Sequence, residues 1–217
     1  MERTREKGRF GMRNVARQLT VKRMQGLLLV MVLGAAASGS AQARSRQSNQ
    51  FPQIKISNFG QMDEYLYRGE QPGQEDYKVL ADLGIKVIID LRNDPLAYAK
   101  QAAEAAGMRY VNIPMSDKKR PEDAQIEQFL AVTKNKADGP FYIHCKGGRH
   151  RTGVMGAVYR FTYDGWTYDQ IYKEMKDYDY YSRWGHGALG EYVEDYCKNI
   201  SAHSVNASSG AASSNPD

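Results

Sequence analysis

The segment Lys86-Val87-Ile88-Ile89-Asp90-Leu91 is of strand length and holds an unbroken apolar run, Val87-Ile88-Ile89, with Leu91 beyond it. A strand with one wet face alternates apolar and polar side chains, so an unbroken run predicts a strand buried on both faces, as in parallel sheets covered by helices. Its surroundings agree. Residues 74–83 read as a helix ended by Gly84, residues 95–106 as a helix closed by Gly107, and residues 108–113 as a strand. Residues 121–133 form a helical pattern that opens with proline and acids, as helix starts prefer. Residues 141–144 read as a strand running into a glycine-rich turn and a helix over 151–163. Shorter strands are expected at 54–59 and 65–68, and further helices at 168–178 and about 187–199. This alternation predicts an α/β fold with a central, largely parallel, four- to five-stranded sheet flanked by helices.

A chain of 217 residues that is 41% hydrophobic and 25% charged has the content of a globular protein, which excludes collagen, coiled coil and wholesale disorder. A net charge of +5 would suggest a nucleic-acid partner. Its distribution removes that suggestion, because eight Lys and Arg against two acids lie within residues 1–43 and leave the remainder near neutral. No nucleic-acid partner is therefore expected. That basic stretch leads into an apolar run from Leu27 to Ala37 and then to small residues ending Ala41-Gln42-Ala43, the order of an export signal. The run falls short of the roughly 20 residues that cross a bilayer. Residues 1–43 are accordingly expected to be a cleaved signal peptide, leaving no stable membrane span and a periplasmic or secreted product; an N-terminal anchor is the alternative. Residues 44–50 read as a flexible lead-in, 51–200 as the folded domain, and 201–217, nearly devoid of apolar side chains, as a disordered tail.

In α/β sheets ligands gather at the carboxyl ends of strands. There the chain reads His144-Cys145-Lys146-Gly147-Gly148-Arg149-His150-Arg151-Thr152-Gly153. Glycines let successive backbone amides turn inward as an anion nest, and the following helix adds its positive end. In that field Cys145 should ionise below the free value of about 8.5, while the planar fork of Arg151 can grip two oxygens of a phosphoryl group. An inert core cysteine would not require Gly147, Gly148, Arg151 and Thr152 around it. No metal is expected: His144 and Cys145 are adjacent on a strand and face opposite ways, and no ligand cluster accompanies His150.

The run HCKGGRHRTG resembles the His-Cys-x5-Arg-Thr-Gly signature of the cysteine-dependent protein tyrosine and dual-specificity phosphatase superfamily. Upstream, Tyr67-Arg68-Gly69-Glu70-Gln71-Pro72, residues 83–92 and Asn112-Ile113-Pro114-Met115 are similar to its compact atypical dual-specificity branch. The resemblance implies a phosphatase domain over 51–200 and a two-step reaction through phosphocysteine, with no metal or organic cofactor. It implies that Cys145 is the nucleophile, Arg151 the phosphate clamp and Thr152 the hydroxyl that stabilises the departing thiolate. His144 would orient the loop and help depress the thiol pKa. Lys146, Gly147, Gly148, Arg149, His150 and Arg151 would bind substrate through their amides. Two other classes remain open: an exported phosphate-binding pseudophosphatase or interaction module, and a rhodanese-like sulfurtransferase, whose loop is usually shorter.

The family places its proton donor, an aspartic acid, about thirty residues before the cysteine. Asp117 lies 28 residues before Cys145, directly after a predicted strand, and is the first choice. Glu122 and Asp123 sit where acids commonly cap a helix. Arg68, Arg92 and Asp90 lie at strand ends, where ion pairing is the expected role and a second anion site the alternative. The aromatic stretch from Tyr178 to Trp184 either packs on a helix or walls the pocket. Lys146, Arg149 and His150, with Lys118, Lys119 and Arg120 nearby, make the site basic and favour a polyphosphorylated substrate of the inositol-phosphate or lipid kind beside a phosphorylated protein. Cys197 reads as a packed helix cysteine.

Overall fold

The computed structural model describes residues 50–211, with side chains described as far as Lys198 and Asn199. The expected signal peptide at 1–43 and nearly all of the lead-in at 44–50 lie outside the described residues, as do residues 212–217. Five strands form one sheet: β1 (Gly60–Gln61), β2 (Leu66–Glu70), β3 (Val87–Arg92), β4 (Arg109–Met115) and β5 (Phe141–Cys145). Their spatial order is β1-β2-β5-β3-β4, and only β1 runs antiparallel to its neighbour. Both central strands, β3 and β5, are buried at every position, as the unbroken apolar runs require. Alternate residues feed two apolar layers. Val87, Ile89, Leu91, Phe141, Ile143 and Cys145 enter one, whereas Ile88 and Tyr142 enter the other.

Helices α1 (Asp76–Asp82) and α2 (Ala99–Ala105) cover the second layer through Tyr77, Leu80, Ala99 and Ala103. Helices α3 (Asp123–Thr133) and α4 (His150–Tyr159) cover the first through Ile126, Phe129, Met155 and Val158. A third cluster joins α4 to α5 (Tyr168–Asp177) and α6 (Gly187–Ala211) through Val154, Ile171, Met175, Leu189 and Val193. Helix α4 is thus buried at every position, wedged between the sheet and the last two helices. That burial fixes the loop leading into it. Among the described residues no helix is long and apolar enough to cross a membrane.

Three expectations are corrected. Residues 54–59 form turns instead of a strand, with Asn58 at φ 52°. Phe51 and Phe59 of this arm are covered by Tyr67 and Tyr142, so its apolar character reflects ring packing without strand pairing. Helix α4 ends at Tyr159 and gives way to a π-turn, Arg160–Asp164, closed by left-handed Gly165. Helix α6 continues to Ala211 through the segment read as a disordered tail. A helix already nucleated by packing extends cheaply, and Ala202, Ala207 and Ala211 are strong helix formers.

Candidate active site

The loop from Lys146 to Arg149 connects the end of β5 to α4 at the carboxyl edge of the sheet. Three consecutive carbonyls of this loop bond to groups outside it. Lys146 O accepts from the Gln71 amide at 3.3 Å, Gly147 O from Asn58 Nδ2 at 2.9 Å, and Gly148 O from Arg68 Nη2 at 3.1 Å. A peptide plane points its C=O and the next N–H in opposite directions, so these bonds turn the following amides toward the loop centre. Gly148 is in the left-handed region at φ 66°. A Cβ there would also lie 2.7 Å from Glu70 N, so only glycine allows the loop to rest on β2.

Cys145 is 4% exposed at the floor of this loop. Burial alone would raise its pKa, but the Thr152 hydroxyl and amide, the Arg151 charge and the Arg149 amide outweigh it and the thiol ionises below its ordinary range. The Thr152 hydroxyl is fully buried and among the described residues has no oxygen or nitrogen partner, which leaves it to the sulfur. Arg151 donates through Nη1 to Asn93 Oδ1 at 3.0 Å and to Met115 O at 3.1 Å. Among the described residues its buried Nε has no partner. An oxyanion in the loop would complete it.

His144 is not a source of positive charge. It is 0% exposed, and burial pushes its pKa down to about 4 despite the Asp90 carboxylate, 3.8 Å from Nδ1. The ring stacks on Tyr142 at 5.8 Å and acts by packing; the charge expected of it comes from Arg151. Asp90 itself is structural, accepting from the Arg92 amide at 2.8 Å and the Tyr110 hydroxyl at 2.7 Å. Arg92 pairs with Asp94 at 3.0 Å, in keeping with the expected ion-pairing role. Arg68 fulfils neither expectation. It is 0% exposed, faces no carboxylate in contact, and instead lies 3.9 Å over the Tyr178 ring while holding Gly148. Burial lowers its pKa, while Tyr178, the Glu174 carboxylate and then Cys145 act to raise it again, so this cation and the thiolate favour each other.

Asp117 follows β4 on a short loop whose Ser116 hydroxyl accepts from the Lys118 and Lys119 amides. Its carboxylate is close enough to His150 to act on that ring's charge, which places it beside the phosphate loop. Glu122 instead caps α3 in a capping box with Gln125. His150, expected as a basic group for substrate, is 8% exposed. Burial and neighbouring His186 push its pKa down to about 4, so it is neutral and leaves the charged rim to Lys146 and Arg149. The aromatic stretch lies against this loop: Tyr180 and Tyr181 meet His150 edge-on at 5.5 and 4.3 Å. Sequence reasoning missed Asn58 and His186. Neither belongs to a local pattern, and each matters through a partner 89 or 69 residues away. Cys197 is buried in the third cluster, its pKa raised to about 11, and forms no disulfide with Cys145.

A cysteine at a strand end, an amide-lined loop and an arginine opening the next helix define the cysteine-dependent phosphatase class. The family described as DSP-PTPase phosphatase fused to NAD+ kinase matches residues 47–184. Dual specificity protein phosphatase TpbA of Pseudomonas aeruginosa is 30% identical over 158 residues, which cover 69% of this chain and 70% of that protein. Inositol diphosphatase SIW14 of Saccharomyces cerevisiae is 27% identical over 132 residues, covering 57% of this chain and 46% of that protein. Among solved structures, P. aeruginosa TpbA matches with a TM-score of 0.56 at 24% identity, over 66% of this chain and 86% of that one. The catalytic domain of SIW14 from S. cerevisiae matches with a TM-score of 0.57 at 22% identity, over 70% and 94%. The chain belongs to the DSP-PTPase family and is a phosphatase of the dual-specificity type.

Two outcomes are expected from the buried groups. Replacing Arg68 by Met removes a buried cation that interacts with the thiolate and should raise the midpoint of Cys145 alkylation by iodoacetate by about one pH unit, equivalent to a charge interaction of about 1.4 kcal/mol. An unchanged alkylation profile would dismiss that electrostatic link. His144 has a folded pKa near 4 against an ordinary 6.5, so between these values the unfolded chain binds a proton that the folded one refuses. Stability should therefore fall as pH drops from 6.5 toward 4, by up to about 1.4 kcal/mol per unit for this group. Denaturant unfolding at several pH values should show a shallower loss in His144→Asn.

Proposed function

We propose that the protein hydrolyses phosphoric monoesters by covalent catalysis at Cys145. The thiolate attacks phosphorus, the bond to the leaving oxygen breaks, and Asp117 supplies that oxygen with a proton. Water then attacks the phosphocysteine with Asp117 taking its proton, the P–S bond breaks, and inorganic phosphate leaves as Thr152 receives the thiolate. Amides of Gly147 to Arg151 and the fork of Arg151 hold the phosphoryl oxygens and stabilise the charge they carry in the transition state. The observation that carries this reading is the lowered Cys145 pKa at the floor of a loop whose carbonyls are tied outward.

The preferred substrates in this reading carry several phosphates. Lys118, Lys119, Lys146 and Arg149 are exposed, and among the described residues none has an ion-pair partner. Arg120, by contrast, is committed to Asp195 at 2.5 Å. Four uncommitted cations on two neighbouring loops favour polyanions over a singly phosphorylated tyrosine. The similarity to an inositol diphosphatase supports the same choice, while the similarity to TpbA supports a phosphoprotein as the second substrate. Export is part of the proposal, resting on the order of basic, apolar and small residues within 1–43.

Cys145→Ser should abolish phosphate release from every substrate, and Asp117→Asn should lower it by about 10²–10⁴-fold. Lys146→Ala with Arg149→Ala should raise KM for inositol polyphosphates far more than for p-nitrophenyl phosphate. An equal rise for both would remove the polyanion preference. N-terminal sequencing of the protein recovered from outside the cytoplasm should begin after Ala43; recovery of only full-length chain inside the cell would refute export.

A further inference from the structure

The loop that carries Asp117 has little to hold it. Lys118, Lys119 and Arg120 are exposed, and the Ser116 hydroxyl supplies the local bonds, at 3.2 Å each. Two further anchors come from α6 and the turn that opens it. Arg120 is tied to Asp195 of α6, and Asp117 O lies 2.6 Å from Nδ1 of His186, the residue preceding that helix. A carbonyl can only accept, so Nδ1 of His186 carries the proton and donates it.

The same imidazole lies flat on His150, with ring centroids 3.7 Å apart and planes 12° from parallel. His150 is the first residue of α4 and directly precedes Arg151. One buried ring therefore spans the gap between the backbone of the acid loop and the backbone of the phosphate loop. Tyr181 closes the stack edge-on, 5.5 Å from His186. A tight turn delivers the ring: Trp184 and Gly185 both adopt positive φ, at 56° and 88°, and Gly185 packs beside the Lys118 side chain. A non-glycine residue in that region is uncommon, and here the turn ends on His186, which reaches Asp117 O.

We propose that His186 is the positioning residue for the proton donor, fixing the Asp117 backbone at a set distance from the phosphate loop through its stack on His150. The inference rests on the reading of Asp117 as the general acid. It makes a distinction that a purely structural role does not. Removing the anchor should slow the reaction in proportion to how much the leaving group needs a proton.

The test compares His186→Phe, which keeps an aromatic ring for the stack and loses the donor, with His186→Asn, whose side-chain amide replaces Nδ1–H. His186→Leu is a second donor-free variant should the phenylalanine not fold, and Asp117→Asn serves as the reference. Phenyl phosphate and 2,4-dinitrophenyl phosphate are the poor and good leaving groups, and rates are normalised to Cys145 titratable with iodoacetate. The donor-free variants should lose about 10–100-fold in kcat/KM on phenyl phosphate, within the range of general acid help, and far less on the dinitrophenyl ester. His186→Asn should recover most of the loss. Equal losses on both esters, or no loss on either while Asp117→Asn still discriminates between them, would overturn the proposal and leave His186 a packing residue. If Asp117→Asn itself fails to discriminate, the acid lies elsewhere, and the assignment of Asp117 fails together with this inference.

Discussion

A peptide unit cannot turn its N–H and its C=O to the same side, so a loop can aim its amides at a phosphate only where groups behind it accept the opposite orientation. Here the bonds from Gln71, Asn58 and Arg68 to three consecutive carbonyls meet that condition. Gln71 and Arg68 come from β2 or the turn just after it, and β2 pairs with β5 residue by residue up to Glu70 beside Cys145. The sheet register therefore places the tethers. Gly69 lets Tyr142 approach closely, and its hydroxyl then donates to Glu70 O at 2.7 Å, holding the end of β2 against β5. Each piece is modest, and a neutral hydrogen bond contributes only about 1 kcal/mol. Their value lies in setting a geometry that the loop's own sequence, rich in glycine, would not hold by itself.

The charge balance at the floor of the site follows from the same construction. Burying a thiolate is unfavourable, as is burying a guanidinium without a carboxylate. Cys145 and Arg68 are both buried and each lessens the other's cost, with Tyr178 lending the face of its ring to the cation. His144 and His150, at the two ends of the loop, are both neutral, so the positive potential at the floor comes from arginines, amides and a helix end, all of which are insensitive to pH in the physiological range.

Much of this was legible in the sequence, for identifiable reasons. β3 and β5 are buried on both faces and so carry consecutive apolar residues, which with the alternation of strand and helix patterns made the parallel sheet readable. The phosphate loop was readable because its spacing is local: strand end, glycines, arginine and helix follow in order. Residues 54–59 misled because rings that pack on Tyr67 and Tyr142 have the same apolarity as a strand. His150 misled because a histidine between two arginines looks like part of a cationic rim, and nothing local reveals that His186 and two tyrosines bury it. Asn58, Arg68 and His186 share one property. Each acts on a group far away in sequence, through a contact that exists only once the fold is formed.

A neutral His150 also bears on turnover. An imidazolium there, flanked by Arg149 and Arg151, would strengthen the field on any bound anion, whether substrate, transition state or product. Interactions that favour these states equally tighten binding without accelerating the chemical step, and here they would also retain inorganic phosphate. Burial, and after it the neighbouring His186, removes that charge, and the stack on His186 makes the ring a spacer between the two loops. The positive charge that remains is divided by position: Arg151 is buried at the start of α4 beside the loop amides, while Lys118, Lys119, Lys146 and Arg149 stay exposed at the edge. Cations at the edge are screened by salt and meet the distal parts of a substrate, so they can govern which molecule enters without binding the released phosphate as tightly.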